Sequence, residues 1–403
     1  MTGSKTTSRV WAMFRQNKLA AGGLVFILLS IVAATLGYLI MPDDTPLANN
    51  MSVQLSVKHP GAGFMLLRIK KAERVDTVNI FSKMIFGQPD AYREVPITGY
   101  HFKADSIYVD EYIGDEDAPE KHAYNIFEVY TGQKPVYKNG LVNFVLPNGK
   151  QQQVNAGDAI YKRVSDEISG RQIITRTFIL GSDIYGRDVL SRAILGARVS
   201  LAVGFLAVLI SLIIGVLIGA AAGYFGGWVD AVLSWVMNIL WSLPALLLVI
   251  AISFALGKGM WQIFVAVGLS MWVEVARLVR GQVLAVKRLE YVEAARALGF
   301  SHRRIIIKHI LPNISGPVLV IAASNFASAI LLESGLSFLG FGAQPPMPTW
   351  GGMIKEHYGY IVMDAAYLAI IPGLAIMLTV FAFNLLTTGL RDAFDIKSQN
   401  IRI

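Results

Sequence analysis

Side chains able to carry covalent or metal chemistry are sparse in this sequence. It has no cysteine, which excludes thiol catalysis, disulfides and thiolate metal sites. Its histidines are not spaced like metal ligands, so we predict no metal site. The two Gly-Lys pairs, at 149–150 and 257–258, continue with Gln and Gly, so no Gly-x-x-x-x-Gly-Lys-Ser/Thr phosphate loop is present. The sequence therefore predicts no catalytic site and no cofactor bound by this chain.

The most informative segment is EAARALGFSHRRIIIKHILP at residues 293–312, between two apolar stretches. Nearly every residue from 291 to 298 favours a helix, and Gly299 can adopt the left-handed conformation that ends one. Ser301 can cap a second helix. Pro312 falls in the first turn of the apolar stretch that follows, where its missing N–H costs nothing. The pattern predicts a short helix, a turn and a second helix that continues into the apolar stretch.

The composition of the short helix suits contact with another protein. Ala294, Ala295 and Ala297 would let a partner surface approach closely, and Glu293 could pair with a cation on that surface. The same residues also fit a plain connecting loop without a docking role. The residue types alone leave both readings open.

The elements that must position this helix are apolar stretches free of charged residues. Hydrophobic residues make up 54% of the chain and charged residues only 16%, whereas soluble domains are roughly 25% charged. Six stretches suit the roughly 20 residues that one bilayer crossing needs. They span residues 19–41, 199–229, 231–257, 259–273, 314–332 and 365–390. We predict an α-helical polytopic membrane protein with six transmembrane helices.

Four of these stretches carry a feature that modifies a simple crossing. The first follows a basic segment as in a signal peptide, but no small-residue cleavage site follows its apolar core, so a retained helix is expected. Pro244 should kink the third, and the fourth must continue past Glu274 to cross. Glu333 lies at the outer end of the fifth, and an acid at membrane depth is a candidate functional residue. An interfacial carboxylate in contact with water or a backbone donor is the alternative for Glu333.

Basic residues next to the apolar stretches set the expected orientation. The net charge is +8, and its excess lies outside residues 43–176, which indicates the positive-inside rule rather than nucleic-acid binding. We expect residues 1–18 and 396–403 to be cytoplasmic, together with the basic loop at 280–312. Arg187 and two further arginines oppose this orientation, because they precede the second crossing on the predicted outer face.

Residues 43–176, between the first two crossings, have the composition of a separate domain. GFMLLRIKK, SIYVDEYI and NIFEVY mix β-branched and aromatic residues as strands do. LVNFVLP lies between Asn139-Gly140 and Asn148-Gly149, which are tight-turn signals. We predict a β-rich extracytoplasmic domain inserted between helices 1 and 2. A loose, elaborated loop is the alternative.

A second charged motif, LGSDIYGRDVLSR at residues 180–192, precedes the second crossing. Its acids and bases are close enough in sequence to pair with one another. We predict a salt-bridged structural segment at the outer membrane face. Its candidate residues are Gly181, Asp183, Gly186, Arg187 and Asp188.

Several motifs together resemble the peptide-transporting branch of the permease subunits in ATP-binding cassette importers. EAARALG followed by HILP is similar to the EAA loop of that family. The family pattern is matched at Glu293, Ala294, Ala295, Gly299, Leu311 and Pro312. LGSDIYGRDVLSR, AGYFGGWVD, LSFLGFGAQPPMPTWGGM and PGLAIMLTVFAFNLLTTGLRDAFD are similar to further segments of the branch. The resemblance covers residues 10–41 and 180–395, and the insert has no counterpart in the usual short subunit.

The resemblance implies a transport subunit rather than an enzyme, working in ATP-driven import of peptides across the inner or plasma membrane. Residues 180–395 would form a permease core with helices 2–6, and residues 280–312 a cytoplasmic loop that couples transport to ATP hydrolysis. The implied partners are a second permease subunit, most simply as a heterodimer, two nucleotide-binding ATPase subunits that use ATP and Mg, and an extracytoplasmic substrate-binding protein. Membrane lipid is a further expected partner, and nucleic acid is not.

A secondary transporter or channel with an extracytoplasmic sensory domain is the alternative function. Such a protein would need no ATPase partner, and it predicts internal repeats or ion sites at the membrane midplane. The sequence shows neither an inverted repeat nor a buried acid pair.

Overall fold

A computed structural model describes residues 3–73, 75, 78–146, 151–257 and 259–399. The chain divides into a helical unit, Met1–Ala34, Leu195–Tyr360 and Ala369–Ile403, and a strand-containing unit, Thr35–Ile194 and Ile361–Leu368. The described helices in chain order are α1 Gly3–Gln16, α2 Lys18–Ile40, α3 Ile80–Phe86, α4 Ile126–Thr131, α5 Asp158–Arg171, α6 Val189–Phe225, α7 Gly227–Ser242, α8 Ala245–Leu256, α9 Met260–Val286, α10 Glu290–Ala297, α11 His302–Ile305, α12 Leu311–Leu339, α13 Trp350–His357 and α14 Tyr367–Gln399.

Five described helical segments are long and apolar enough to cross a membrane. They are Lys18–Ile40, Val189–Phe225, Met260–Val286, His302–Leu339 and Tyr367–Phe394. Helices α7 and α8 are each too short to cross alone and meet the length and composition of a crossing only together, and they are bent by 97° at the break between them. The chain is thus a multi-pass α-helical membrane protein. Within the described ranges it has five candidate crossings, or six when the bent pair counts as one.

The bend between α7 and α8 falls at the kink predicted for Pro244, but the helix is broken there rather than continuous. Leu243 has an extended backbone, with φ −85° and ψ 136°. A residue before proline is driven away from the helical region, and the proline itself has no N–H to donate. Helix α7 therefore ends at Ser242, and α8 starts anew at Ala245.

The crossings extend beyond the charge-free stretches seen in the sequence. Helix α6 begins at Val189, ten residues before the predicted start at 199, and α9 continues to Val286. The arginines inside these extensions have partners within the protein. Arg280 of α9, for example, donates from Nε and Nη2 to the Asp230 carboxylate of α7 at 2.5 and 2.7 Å. A charge-free window therefore marks only the apolar centre of each crossing.

An additional helix, α1, precedes the first crossing, where the sequence indicated only a cytoplasmic segment. Phe14 of α1 and Ala20 of α2 are buried in one cluster with Ala393 of α14. The Asn17 side chain between α1 and α2 accepts a hydrogen bond from the Ala20 N–H at 3.1 Å. The segment is thus packed on the helical unit.

The strand-containing unit has antiparallel strands in two sheets. The described strands are β1 Ala62–Lys70, β2 Tyr92–Lys103, β3 Ser106–Glu111, β4 Glu120–Asn125, β5 Val136–Lys138, β6 Leu141–Val145, β7 Gln151–Asn155 and β8 Ile173–Phe178. One sheet has the order β4-β3-β2-β1-β8 and the other β5-β6-β7. Leu67, Ile107, Phe127, Val142 and Ile168 lie in one buried core that both sheets, α4 and α5 share.

Three of the four strands predicted in this unit are present, in β1, β3 and β6. The prediction for NIFEVY is wrong, because this segment forms α4. Asn125 caps the helix by accepting the Phe127 N–H at 3.0 Å, and Gly132 ends it in the left-handed conformation. Asn139 and Gly140 both have positive φ, as the predicted hairpin turn requires. The second turn signal, at 148–149, lies outside the described residues.

Candidate functional site

The 287–312 loop connects α9 to α12, and backbone hydrogen bonds fix its turn. Gly299 follows α10 with φ 74°. The Phe300 N–H donates to the Ala295 carbonyl at 3.1 Å, and the Gly299 N–H donates to the Arg296 carbonyl at 3.0 Å. This pair of bonds is the Schellman motif, in which a glycine takes the left-handed position after the helix. The helix end predicted at Gly299 is confirmed.

Helix α10 has a buried face and an exposed face. Val292 and Ala295 are buried in a cluster with side chains of α6, α9 and α11. Glu293 and Ala294 are exposed, and Leu298 just after the helix is 74% exposed. The expectation that all the alanines meet a partner surface is therefore wrong for Ala295, which packs inward and holds the helix in place.

The second half of the loop leads directly into a crossing. Ser301 caps α11 as predicted, with its Oγ accepting the Arg304 N–H at 3.4 Å. A π-helical turn, Ile306–Ile310, then joins α11 to α12. Leu311 is half-buried and Pro312 is exposed at the start of α12. The π-helical turn thus lies where the proline cannot donate a backbone hydrogen bond.

Tyr224, near the end of α6, holds both halves of the loop. Its hydroxyl lies 2.9 Å from Nδ1 of His302, and Nζ of Lys287 donates to its backbone carbonyl at 2.6 Å. The Arg296 guanidinium lies 5.8 Å from the centroid of its ring. Sequence reasoning missed this role. The available signal was an aromatic pair, Tyr224 and Phe225, at the end of the crossing that precedes the loop.

The Asp183 turn, residues 181–188, is a buried charged segment directly before α6. Asp183 Oδ1 accepts the N–H groups of Tyr185 and Arg187 at 2.8 and 3.0 Å, and its Oδ2 accepts Nε of Arg187 at 2.6 Å. Nε of Arg192 lies 3.6 Å from the same Oδ2. One buried carboxylate thus interacts with two buried arginines, which accounts for basic residues that opposed the charge-based orientation.

The remaining residues of the Asp183 turn shape its backbone. Asp188 caps α6, because its Oδ2 accepts the N–H and the Oγ–H of Ser191 at 2.7 and 2.6 Å. Burial raises the pKa of the Asp188 carboxyl, and the bonds from Ser191 oppose that rise. Gly181 and Gly186 have φ of 80° and 75°. A Cβ at Gly186 would overlap the backbone of Ser52, so this site requires a glycine.

Glu333 is buried in α12, with 1% of its surface exposed. The Ser200 hydroxyl of α6 donates to Oε2 at 2.9 Å, and the Ser337 hydroxyl donates to Oε1 at 2.7 Å. The carboxylate thus links α6 to α12 through hydroxyl donors, rather than lying exposed at an interface.

Several apolar helices and a helix–turn–helix loop define a multi-pass membrane protein, and comparison with known proteins gives its family. Residues 215–398 match the binding-protein-dependent transport system inner membrane component, and residues 6–55 match the N-terminal TM domain of oligopeptide transport permease C. The first match includes the 287–312 loop and Glu333, and neither includes most of the strand-containing unit.

This chain aligns with 70–73% of the length of three curated relatives. A glutathione transport system permease protein of Pectobacterium atrosepticum is 44% identical over 55% of this chain and 73% of its own length. A dipeptide transport system permease protein of Alkalihalophilus pseudofirmus is 42% identical over 55% and 72%. An oligopeptide transport system permease protein of Haemophilus influenzae is 43% identical over 54% and 70%. The chain belongs to the family of binding-protein-dependent transport system inner membrane components, and is a transport subunit rather than an enzyme.

A chain in a solved structure of the inward-facing MetNI methionine ABC transporter was also matched. It aligns with 50% of this chain and 97% of its own length, at 19% identity and a TM-score of 0.40.

Proposed function

We propose that this chain is the permease subunit of an ATP-driven importer of short peptides, and that the exposed face of α10 docks on an ATPase subunit. The observation that carries the docking role is the division of α10. Val292 and Ala295 fix the helix to the protein core, while Glu293, Ala294 and Leu298 are left exposed. A rigid helix with small and apolar exposed residues can transmit a push from a partner into the crossings on either side of it.

Peptides are the proposed substrate because the relatives share that chemistry. Their names specify glutathione, dipeptides and oligopeptides, all of which carry amide bonds and a free carboxylate. The proposed assembly contains a second permease subunit, two ATPase subunits that use ATP and Mg, and an extracytoplasmic substrate-binding protein. This chain then contributes half of the translocation path and no catalytic group.

The proposed topology has six crossings, with α7 and α8 counted as one broken crossing. The N- and C-termini and the 287–312 loop lie in the cytoplasm, and the strand-containing insert lies outside. The basic residues of the loop support this orientation through the positive-inside rule. Arg187 and Arg192 no longer oppose it, since Asp183 interacts with both inside the protein.

The docking role is tested by enlarging the exposed face without disturbing the buried one. Ala294→Trp should block assembly with the ATPase subunits and abolish coupled transport in reconstituted complexes, while the thermal unfolding of the permease stays unchanged. Ala72→Trp, at an exposed alanine of the strand-containing unit, is the matched control and should behave as wild type. Normal assembly and transport by Ala294→Trp would exclude this docking face.

The orientation is tested with single cysteines, which the cysteine-free chain makes unambiguous. Val136→Cys in β5 and Leu298→Cys after α10 replace side chains that are 60% and 74% exposed. A membrane-impermeant maleimide should label Val136→Cys from outside intact cells or spheroplasts, and Leu298→Cys only after permeabilisation. The reverse pattern would overturn the topology.

A further inference from the structure

Helix α3, in the strand-containing unit, exposes more apolar surface than a short soluble helix normally does. Five of its seven residues are large and apolar, and four of these five are 49–72% exposed. The four exposed ones are Ile80, Phe81, Ile85 and Phe86. None of the residues of α3 is buried. Large exposed apolar patches are uncommon on soluble proteins and usually mark interaction sites. The exposed apolar residues of α3 therefore indicate an interaction site.

Contacts on the other side of α3 fix it beside the end of the first crossing, α2. Nζ of Lys83 lies 2.5 Å from Oδ2 of Asp44, four residues beyond the end of α2. The Gln88 N–H donates to the Asp44 carbonyl at 2.9 Å. Gly87, which follows α3, lies so close to Tyr38 of α2 that a Cβ there would be 2.8 Å from the tyrosine ring. The position of α3 is thus set by residues in and just after the last turn of α2.

The location determines which partner suits the exposed side chains. Leu39 and Ile40, in the last turn of α2, are themselves exposed apolar residues at the end of a candidate crossing. Asp43 and Asp44 are the first acids after this candidate crossing, so the sequence changes from apolar to polar within four residues of its end. Aromatic and aliphatic side chains held where the sequence makes this change, next to a lysine, have the chemistry of an interfacial helix that partitions into the headgroup and acyl boundary.

We propose that α3 is an interfacial anchor, which inserts Phe81 and Phe86 into the leaflet at the C-terminal end of α2. The anchor would hold the strand-containing unit against the membrane surface rather than leave it tethered only through α2 and α6. It lies outside the segments that match the permease family, so it concerns the insert and is independent of the proposed transport function. The Lys83–Asp44 pair orients the helix so that the ammonium group stays at the polar boundary.

The test measures the surroundings of α3 directly in the full chain reconstituted in lipid nanodiscs. Because the chain has no cysteine, a nitroxide can be attached at Phe81→Cys or Phe86→Cys alone, with Val136→Cys as an exposed apolar control in β5. Collision of each label with oxygen and with a water-soluble nickel chelate is then recorded. The ratio of oxygen to nickel accessibility should be several-fold higher at 81 and 86 than at 136.

Each other outcome overturns the proposal. A ratio at 81 and 86 equal to that at 136 would mean that α3 faces water. Low accessibility to both reagents would mean that protein, from this chain or a second copy, covers α3 instead of lipid. Met84→Cys, which labels a half-buried position of the same helix and leaves the Lys83–Asp44 pair intact, should show a lower ratio than 81 and 86. That difference would distinguish insertion of the apolar side chains from general proximity to the bilayer.

Discussion

The Asp183 turn and the 287–312 loop are both charged segments that contain glycine with positive φ. They differ in whether their charged side chains are buried or exposed. In the turn, the side chains of Asp183 and Arg187 are 1% and 2% exposed and pair with each other. In the loop, Glu293 and Leu298 are exposed, and the helix is held from its other face. A buried ion pair is expensive to desolvate and must be complete, whereas an exposed charge is free to contact another protein. The comparison separates residues that maintain the fold from residues available for assembly.

The largest expected difference between the two segments comes from removing one acid in each. Asp183→Ala should destabilise the permease by about 3–5 kcal/mol, because it leaves the buried arginines 187 and 192 without this carboxylate. Glu293→Ala should change stability by less than about 0.5 kcal/mol, as surface substitutions usually do. Thermal unfolding of both variants in the same detergent measures the difference. Equal destabilisation would show that the two segments do not differ in this way.

A glycine in each segment gives a smaller but sharper contrast. A non-glycine residue in the left-handed region costs roughly 1–2 kcal/mol, and both Gly186 and Gly299 have such a backbone. A Cβ at Gly186 would in addition overlap the Ser52 backbone, while a Cβ at Gly299 meets no atom within 4 Å. Gly186→Ala should therefore be clearly more destabilising than Gly299→Ala. Unfolding free energies that agree within error would contradict the packing seen around Gly186.

The two segments also differ in how far they could be predicted from the sequence. The loop is governed by local rules, namely helix propensity, a glycine at the helix end and Ser301 as a cap, so its helices were predicted correctly. The inward packing of Ala295 was not predictable, since it depends on α6 and α9 approaching from distant parts of the chain. The same limit explains α4, where a cap at Asn125 overrode the strand propensity of the residues that follow.

Long-range contacts likewise decided the details of the crossings. Composition predicted where apolar segments lie, but Arg280 could be placed inside a helix only once its contact with Asp230, 50 residues away in sequence, was known. The burial of Glu333 depends on Ser200, which is 133 residues away. Periodicity in sequence carries no information about such pairs. Local signals therefore predict elements, and tertiary contacts determine the site.

Substitution of Tyr224, which contacts both halves of the 287–312 loop, should have an intermediate effect on stability. Tyr224→Phe removes the hydroxyl that contacts His302 and should cost about 1 kcal/mol, the usual net value of a buried hydrogen bond. Tyr291→Phe, at a 41% exposed tyrosine on α10, is the control and should be near neutral. Amide hydrogen exchange in residues 287–302 should rise only in Tyr224→Phe. Unchanged exchange there would mean that Val292 and Ala295 suffice to hold the loop.

The smallest expected effect is a pH dependence within the Asp183 turn, arising from the Asp188 cap. Burial raises the pKa of this carboxyl above its ordinary value of 3.8, because ionisation is penalised more strongly in the folded state. The folded protein therefore binds a proton more tightly than the unfolded chain. The resulting stabilisation is present below pH 3.8 and is lost as the pH rises through the folded-state pKa. Asp188→Asn cannot ionise but keeps an oxygen to accept from Ser191.

The wild-type protein should thus lose stability relative to Asp188→Asn as the pH is raised from about 4 toward neutrality. The loss is small, since two hydrogen bonds from Ser191 favour the ionised form and offset part of the burial penalty. Thermal unfolding of both proteins across this range, at constant ionic strength, measures the difference between them rather than the pH dependence of the whole chain. If the wild type instead gained on Asp188→Asn with rising pH, the hydrogen bonds from Ser191 would outweigh the burial penalty, and the raised pKa argued for Asp188 would be wrong.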